Sequence, residues 1–319
     1  MPTYESRRLG GRREHDEAEV KANFDAIYVQ EDPREYFRVL YGLDYIIPEL
    51  ARPLFRQLVE TLTILRGRPI TVLDLGSSFG INPALLRFPV ELDRLAKRYR
   101  DLQHFGLTPS EVIEFDRNYY RSWPRANDAR IVGLDVSRPA ISYALDVGLI
   151  DAGFAENLEQ AEPSQALADA LAEVDLVVST GCVGYVTAKT FSRLFAAMKR
   201  PKPWVASFVL RLYDYDDIAH LLKERGLITE KLENVTFVQR RFHTQREYAE
   251  VIASLEAKGI DPAGKESDGL FHAELFLSRS ADEARGKPLD DLISVTSGEA
   301  RVTGRRFQRQ ADNTIRLVR

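Results

Sequence analysis

The segment Thr71–Gly80, reading TVLDLGSSFG, constrains this chain more than any other. An apolar, β-branched run ends in an acid and then breaks into small residues that open a helix. Ile70, Val72, Leu73 and Leu75 supply a short buried strand. Gly76 and Gly80 let the chain turn where a Cβ would obstruct it. A strand-to-helix turn of this kind brings backbone close to a ligand, and Asp74 sets a carboxylate beside it. A triphosphate loop would carry Lys-Ser or Lys-Thr after its glycines. Here Gly80 is followed by Ile81 and Asn82, so an adenosine-bearing cofactor with a cationic or hydroxylated part fits better.

One glycine-bearing turn is as often an ordinary connection; the downstream units raise its meaning. Arg130–Asp135, RIVGLD, is a second apolar run ending in an acid. In the succeeding VSRPAISYALDVGL, Ile141, Ala144 and Leu145 recur at helical spacing, with Pro139 tolerated near the start. An acid at the tip of the second strand of a doubly wound sheet accepts hydrogen bonds from ribose hydroxyls. The plainer role for Asp135 is a helix cap or dipole partner. Gly153–Leu158, GFAENL, ends in Glu156 and Asn157, groups suited to an adenine edge. Val174–Gly181, VDLVVSTG, is another buried strand that stops at small polar residues.

This order of segments resembles the class I S-adenosylmethionine-dependent methyltransferases. The resemblance implies a doubly wound, seven-stranded, mostly parallel α/β sheet with the last strand antiparallel. It implies S-adenosylmethionine as cofactor, with Asp74, Gly76, Ser77, Ser78 and Gly80 at its methionine end and Asp135 at the ribose. Glu156 and Asn157 would face adenine, and Ser179 and Thr180 would end the fourth strand beside the sulfonium. Two features depart from the family. Ser78 stands where its middle glycine would be, and Asp74 and Asp135 lie far more than the usual twenty or so positions apart. The segment from about 85 to 128 therefore reads as an insertion.

Composition narrows the rest. A chain of 319 residues with 44% hydrophobic and 29% charged residues can bury a full-sized core. A net charge of −4 argues against a general binder of nucleic acid or anionic membranes. The single cysteine, Cys182, forms no internal disulfide, so a reducing cytoplasm is the expected home. The polar amino terminus has no signal-peptide core, and no run is apolar enough to span a bilayer. No His/Cys/carboxylate cluster has metal-ligand spacing, and no bound metal is expected.

The chain divides into three regions: a polar leader and helical cap over residues 1–66, the cofactor-binding core over 67–280, and an extension over 281–319. In the cap, Phe24, Ile27 and Tyr28 share one face, and Asp32 precedes Pro33 as a helix-starting acid. Pro48 and Pro53 punctuate the remainder of the cap. Its aromatics Tyr28, Tyr36, Phe37, Tyr41 and Tyr45 form either a lid over the site or helix-packing core. The insertion carries a capping signal at Thr108–Glu111 and either covers the substrate pocket or pairs two subunits as a homodimer. Strands are expected at Trp204–Leu210, Thr236–Phe242 and Phe271–Ser278, with a helix at Asp214–Arg225 that Asp214 caps. The extension, with Arg301, Arg305, Arg306 and Arg309, reads as a hairpin or surface strand.

Ligands collect at the carboxyl ends of strands in open α/β sheets. That rule selects Tyr185, Tyr213 and His243 as catalytic candidates, each with a plain packing or capping alternative. His104 and His272 are placed less favourably. The expected activity is methyl transfer to a small-molecule oxygen, nitrogen or carbon. The alternatives are a methyltransferase of protein or nucleic acid, a nicotinamide-dependent oxidoreductase, and a non-catalytic interaction module of the same fold.

Overall fold

A computed structural model of the protein describes residues 25–198, 202–295, 307–309 and 315–317. The polar leader, Phe24, Arg301, Arg305 and Arg306 lie outside the described residues. Helices α1 (Asp25–Tyr28), α2 (Arg34–Gly42) and α3 (Ile47–Arg66) precede strand β1 (Thr71–Leu75). Then come α4 (Ile81–Arg87), α5 (Leu92–Leu102), α6 (Pro109–Arg121), β2 (Arg130–Asp135), α7 (Arg138–Asp146), β3 (Ala152–Ala155), α8 (Gln165–Leu171) and β4 (Leu176–Thr180). The second half holds α9 (Ala188–Ala197), β5 (Trp204–Leu210), α10 (Asp216–Glu224), β6 (Leu227–Lys231), β7 (Phe237–Arg241), α11 (Gln245–Ala257) and β8 (Leu270–Ser280). Two short helices, α12 (Ala281–Gly286) and α13 (Leu289–Leu292), come next, and β9 (Phe307–Arg309) pairs antiparallel with β10 (Ile315–Leu317), the hairpin expected of the extension.

The strand order is β3-β2-β1-β4-β5-β8-β6, with β7 also on β8. Strands β1 to β5 are parallel, and β8 runs antiparallel to β5. Within β8, Ala273 pairs both Leu210 of β5 and Phe237 of β7, while Ser278 pairs both Val205 of β5 and Thr229 of β6. Strands β6 and β7 therefore share the outer edge of β8 end to end, so eight strands fill seven positions. The doubly wound, mostly parallel sheet expected from the sequence is present. The extra strand, LITEK, escapes sequence reading because only Leu227 of it is buried.

The central strands are buried along their length and read as continuous apolar runs, as strands covered on both faces do. On one face α3 packs against β4 and β7, placing Phe55 5.5 Å from Phe208, whose ring lies 4.9 Å from Phe237. Pro53 lies inside α3 instead of punctuating it, and the 20-residue helix ends at Gly67 in a left-handed cap. Pro33, and not Asp32, is the cap of α2; Asp32 stands one residue earlier, where its Oδ1 accepts the Arg34 N–H at 3.0 Å. Helix α10 begins after Tyr215, and Asp214 does not cap it; its exposed carboxylate lies 3.5 Å from Lys258 Nζ.

The segment read as an insertion forms α5 and α6, and the capping box at Thr108 and Glu111 is present. These helices are tied to α7 by Asp116, fully buried, which accepts from Arg98 Nη2 at 2.8 Å, Tyr99 Oη at 3.0 Å and Tyr143 Oη at 2.8 Å. Tyr99 also stacks on Phe37 of α2, centroids 4.5 Å apart. No helix among the described residues is long and apolar enough to cross a membrane.

Candidate active site at the carboxyl edge of the sheet

Strand register decides which side chains meet. Asp74 pairs with Gly133 of β2 and Val178 of β4. Asp135 and Thr180 each lie two residues further along those strands, so by the two-residue alternation all three project from one face. Ser179 projects from the other face, with its hydroxyl buried and unpartnered. Asn82, in the first turn of α4, joins two of the three: its Nδ2 donates to Asp74 Oδ1 and to Thr180 Oγ1, both at 3.0 Å.

The turn between β1 and α4 is clipped onto the tip of β2. The N–H groups of Gly76 and Ser77 donate to the Leu134 carbonyl at 2.9 and 3.1 Å. Ser78 N–H donates to Asp135 Oδ2 at 2.8 Å, and Ser137 N–H to Oδ1 at 2.9 Å. Ser78 holds φ at +48°, a left-handed conformation uncommon outside glycine. Gly76, at φ +76°, leaves no alternative: a Cβ there would stand 2.8 Å from Cys182 Cβ in the loop after β4. Gly80 is crowded by Ala144 and Leu149 at the end of α7.

The electrostatics come from burial. Asp74 is 1% exposed, and burial pushes its carboxyl up to about 6. The Asn82 amide opposes this, as does the Ser77 hydroxyl, which is near but outside hydrogen-bonding geometry, while the negative charge of Asp135 adds to it. Burial likewise raises Asp135 against the N–H groups that bind it. Asp74 Oδ2, Asn82 Oδ1 and Ser78 Oγ are buried without a partner. Unpaired buried acceptors are rare enough to require a cause.

The cap aromatics divide. Tyr36 gathers Tyr28, Tyr45 and Phe79, with ring centroids 6.0, 6.2 and 5.9 Å away, and Phe79 belongs to the glycine turn itself. Phe37 goes instead to the insertion, and Tyr41 bonds Asp93 there. Burial raises the Tyr45 phenol to about 12, offset in part by the Tyr36 and Thr180 hydroxyls. The Tyr28 phenol is raised well above its ordinary value, first by burial and then by Tyr45, Tyr185 and Asp135. Ser137 Oγ donates to the Tyr28 carbonyl, fixing α1 beside Asp135.

Other residues singled out in the sequence have local partners. Both Glu156 oxygens accept from Ser164, Oγ at 2.6 Å and N–H at 2.9 Å, at the start of α8. Asn157 Oδ1 accepts the Glu159 N–H at 2.9 Å in a tight turn. Tyr185 is 52% exposed, within electrostatic reach of Tyr28. The Tyr213 ring lies over Gly184, where a Cβ would come within 2.5 Å of it. The His243 N–H donates to Glu247 Oε2 at 2.6 Å ahead of α11. Among the described residues no group of three or more His, Cys, Asp or Glu side chains could hold a metal ion. Sequence reasoning missed Asn82, although a polar residue in the first turn of a buried helix is a signal.

Strand order and the antiparallel β8 between β5 and β6 give a doubly wound, Rossmann-like sheet, the arrangement that the resemblance to the class I S-adenosylmethionine-dependent methyltransferases implied. No protein-family model matches the chain, and no curated protein matches it significantly. Among solved structures it is similar to the plantazolicin methyltransferase BpumL in complex with SAH, at 11% identity and TM-score 0.42, over 84% of this chain and 98% of that one. It is also similar to magnesium protoporphyrin IX methyltransferase from Synechocystis PCC 6803 with bound SAM, at 13% identity and TM-score 0.34, over 71% and 80% of the two chains. The bifunctional kinase-methyltransferase WbdD aligns at 13% identity and TM-score 0.34, over 72% of this chain and 38% of that one.

Proposed function

We propose that the protein is an S-adenosylmethionine-dependent methyltransferase of the cytoplasm acting on a small-molecule acceptor. The observation that carries this reading is the convergence of Asp74, Asn82, Thr180 and Asp135 on one face at the carboxyl ends of three adjacent strands. The fit is chemical. Asp74 Oδ2 and Asn82 Oδ1 are buried acceptors without donors, which suits a ligand ammonium. Asp135 spends one bond per oxygen on backbone N–H groups and keeps a lone pair on each for the two ribose hydroxyls. Gly76 lets this turn lie directly against the loop after β4, where a Cβ would stand 2.8 Å from Cys182 Cβ. Glu156 and Asn157 lie past the tip of β3, where adenine would sit, although the Glu156 carboxylate is already committed to Ser164.

When bound, S-adenosylmethionine would supply an activated methyl group for in-line transfer to an acceptor lone pair, with the thioether as leaving group. The chain's own contribution is alignment and exclusion of water. Tyr28, Tyr36 and Tyr45 close the site from the cap side, and the raised Tyr45 phenol keeps its proton at neutral pH, so it donates hydrogen bonds and does not act as a base. Tyr185, Tyr213 and His243, which follow strands β4, β5 and β7, are the candidates for contact with the acceptor. Thermal denaturation with added ligand tests the reading: S-adenosylhomocysteine should raise Tm through mass action and NAD should not. A shift with NAD alone would favour the oxidoreductase reading, and no shift with either a non-catalytic module.

A further inference from the structure

Gln239 stands out among the buried polar groups that this site leaves unexplained. It lies in β7, two residues after Phe237, whose ring packs on Phe208, the β5 partner of Thr180. Gln239 is 3% exposed, and its Oε1 has no hydrogen-bond partner. Its amide reaches the tip of β4: a Cβ on Gly181, at φ +75°, would stand 2.3 Å from Gln239 Nε2. Gly181 directly follows Thr180, which Asn82 ties to Asp74.

The backbone around Gln239 is held on both sides. Its carbonyl accepts the Ile46 N–H at 2.9 Å, and Arg241 N–H donates to the Leu43 carbonyl at 2.8 Å. The loop carrying Tyr45 thus runs beside β7, so the Tyr45 phenol and the Gln239 amide reach the β4 tip from adjacent backbones. An amide oxygen kept dry and unpaired costs stability with no return inside the fold. Such a group is explained by a ligand donor, and its place beside Thr180 and Gly181 puts it at the methyl-donating end.

Resting on the methyltransferase reading, we propose that Gln239 recognises the methyl acceptor: Oε1 accepts a hydrogen bond from an N–H or O–H at or next to the reacting atom. The substrate class is accordingly amines, phenols and alcohols, and not molecules whose nucleophile is a lone carboxylate. A site built to bond such a donor rejects an analogue lacking it far more strongly than an apolar pocket could.

The test uses the full chain, S-adenosyl[methyl-³H]methionine and a panel of matched aromatic amines, phenols, alcohols and carboxylic acids. Gln239→Met preserves shape without the acceptor, and Gln239→Glu preserves the acceptor. S-adenosylhomocysteine affinity, measured calorimetrically, separates the two levels of the claim. If the unsubstituted protein does not bind it, the methyltransferase reading itself fails. With binding unchanged in all three proteins, the proposal expects transfer to an amine or hydroxyl compound. It expects Gln239→Met to lower kcat/KM at least tenfold, and Gln239→Glu to stay within about threefold. Equal effects of the two variants would overturn it. So would transfer confined to carboxylic acids, or no transfer to any amine or hydroxyl compound by a protein that binds the cofactor product.

Discussion

Ser78 donates its backbone N–H to Asp135 Oδ2 at 2.8 Å while holding φ at +48°. That bond joins the turn after β1 to the tip of β2 across the long segment that separates them in sequence. It gives Asp135 a fixed orientation before any ligand arrives.

The left-handed conformation at Ser78 costs roughly 1–2 kcal/mol for a residue with a Cβ, while glycine costs about 0.5–1 kcal/mol more in backbone entropy. Ser78→Gly should therefore stabilise the fold by up to about 1 kcal/mol. Urea denaturation at unchanged m-value checks this, and a clear loss of stability would mean that the Ser78 side chain contributes more than its strain costs.

Asp74 gives a pH signature. Its carboxyl titrates near 6 in the fold and near 4 when unfolded. Below pH 4 it is neutral in both states and costs nothing. Between pH 4 and 6 the unfolded chain ionises first, so the native state binds more protons and stability falls as pH rises. The full cost, on the order of 3 kcal/mol, is present above pH 6. Asp74→Asn should remove this fall. The difference between the two proteins' unfolding free energies, followed from pH 4 to 7, reads it directly.

The same group should couple to ligand binding. A cationic ammonium beside Asp74 favours the ionised form. S-adenosylhomocysteine binding should then weaken as pH falls below 6 and should release protons at pH 5.5. Calorimetry in buffers of different ionisation enthalpy measures that release, and Asp74→Asn should abolish it.

Asp116 predicts a stability effect remote from the site. Removing the carboxylate that Arg98, Tyr99 and Tyr143 share takes the counter-ion from Arg98 and strands one of two buried tyrosine hydroxyls, which otherwise have only each other at 2.8 Å. Asp116→Ala should cost roughly 3–5 kcal/mol. The affinity of whatever protein remains folded for S-adenosylhomocysteine should stay near that of the unsubstituted chain, because Asp116 touches neither Asp74 nor Asp135.

Much of this was legible in the sequence, for reasons that can be named. Strands β1, β2 and β4 are buried apolar runs with acids or small polar residues at their tips, and Trp204–Leu210, apolar at both ends, falls at the expected bounds. β6 was illegible because an edge segment with one buried residue has no pattern to read. Asp135 was ambiguous between ribose acid and helix cap; Ser137 is the cap of α7, and the bonds that Asp135 accepts from Ser78 and Ser137 hold the two strand tips together. Glu156, Asn82 and Gln239 depend on contacts that only tertiary structure creates. No spacing rule says that Glu156 meets Ser164, or that Gln239 lies over Gly181. The cap aromatics look alike in sequence, yet Tyr36 and Phe37 go to different neighbours because consecutive helical residues face different ways.

The most direct measurement is calorimetric titration of S-adenosylhomocysteine into the unsubstituted protein, Asp135→Ala and Asp74→Asn at pH 7.5. Loss of the charged hydrogen bonds at Asp135 should weaken binding roughly ten- to hundredfold. Loss of the charge at Asp74 should weaken it by a comparable factor. Both variants binding as tightly as the unsubstituted protein would contradict the placement of one adenosyl ligand between these two acids.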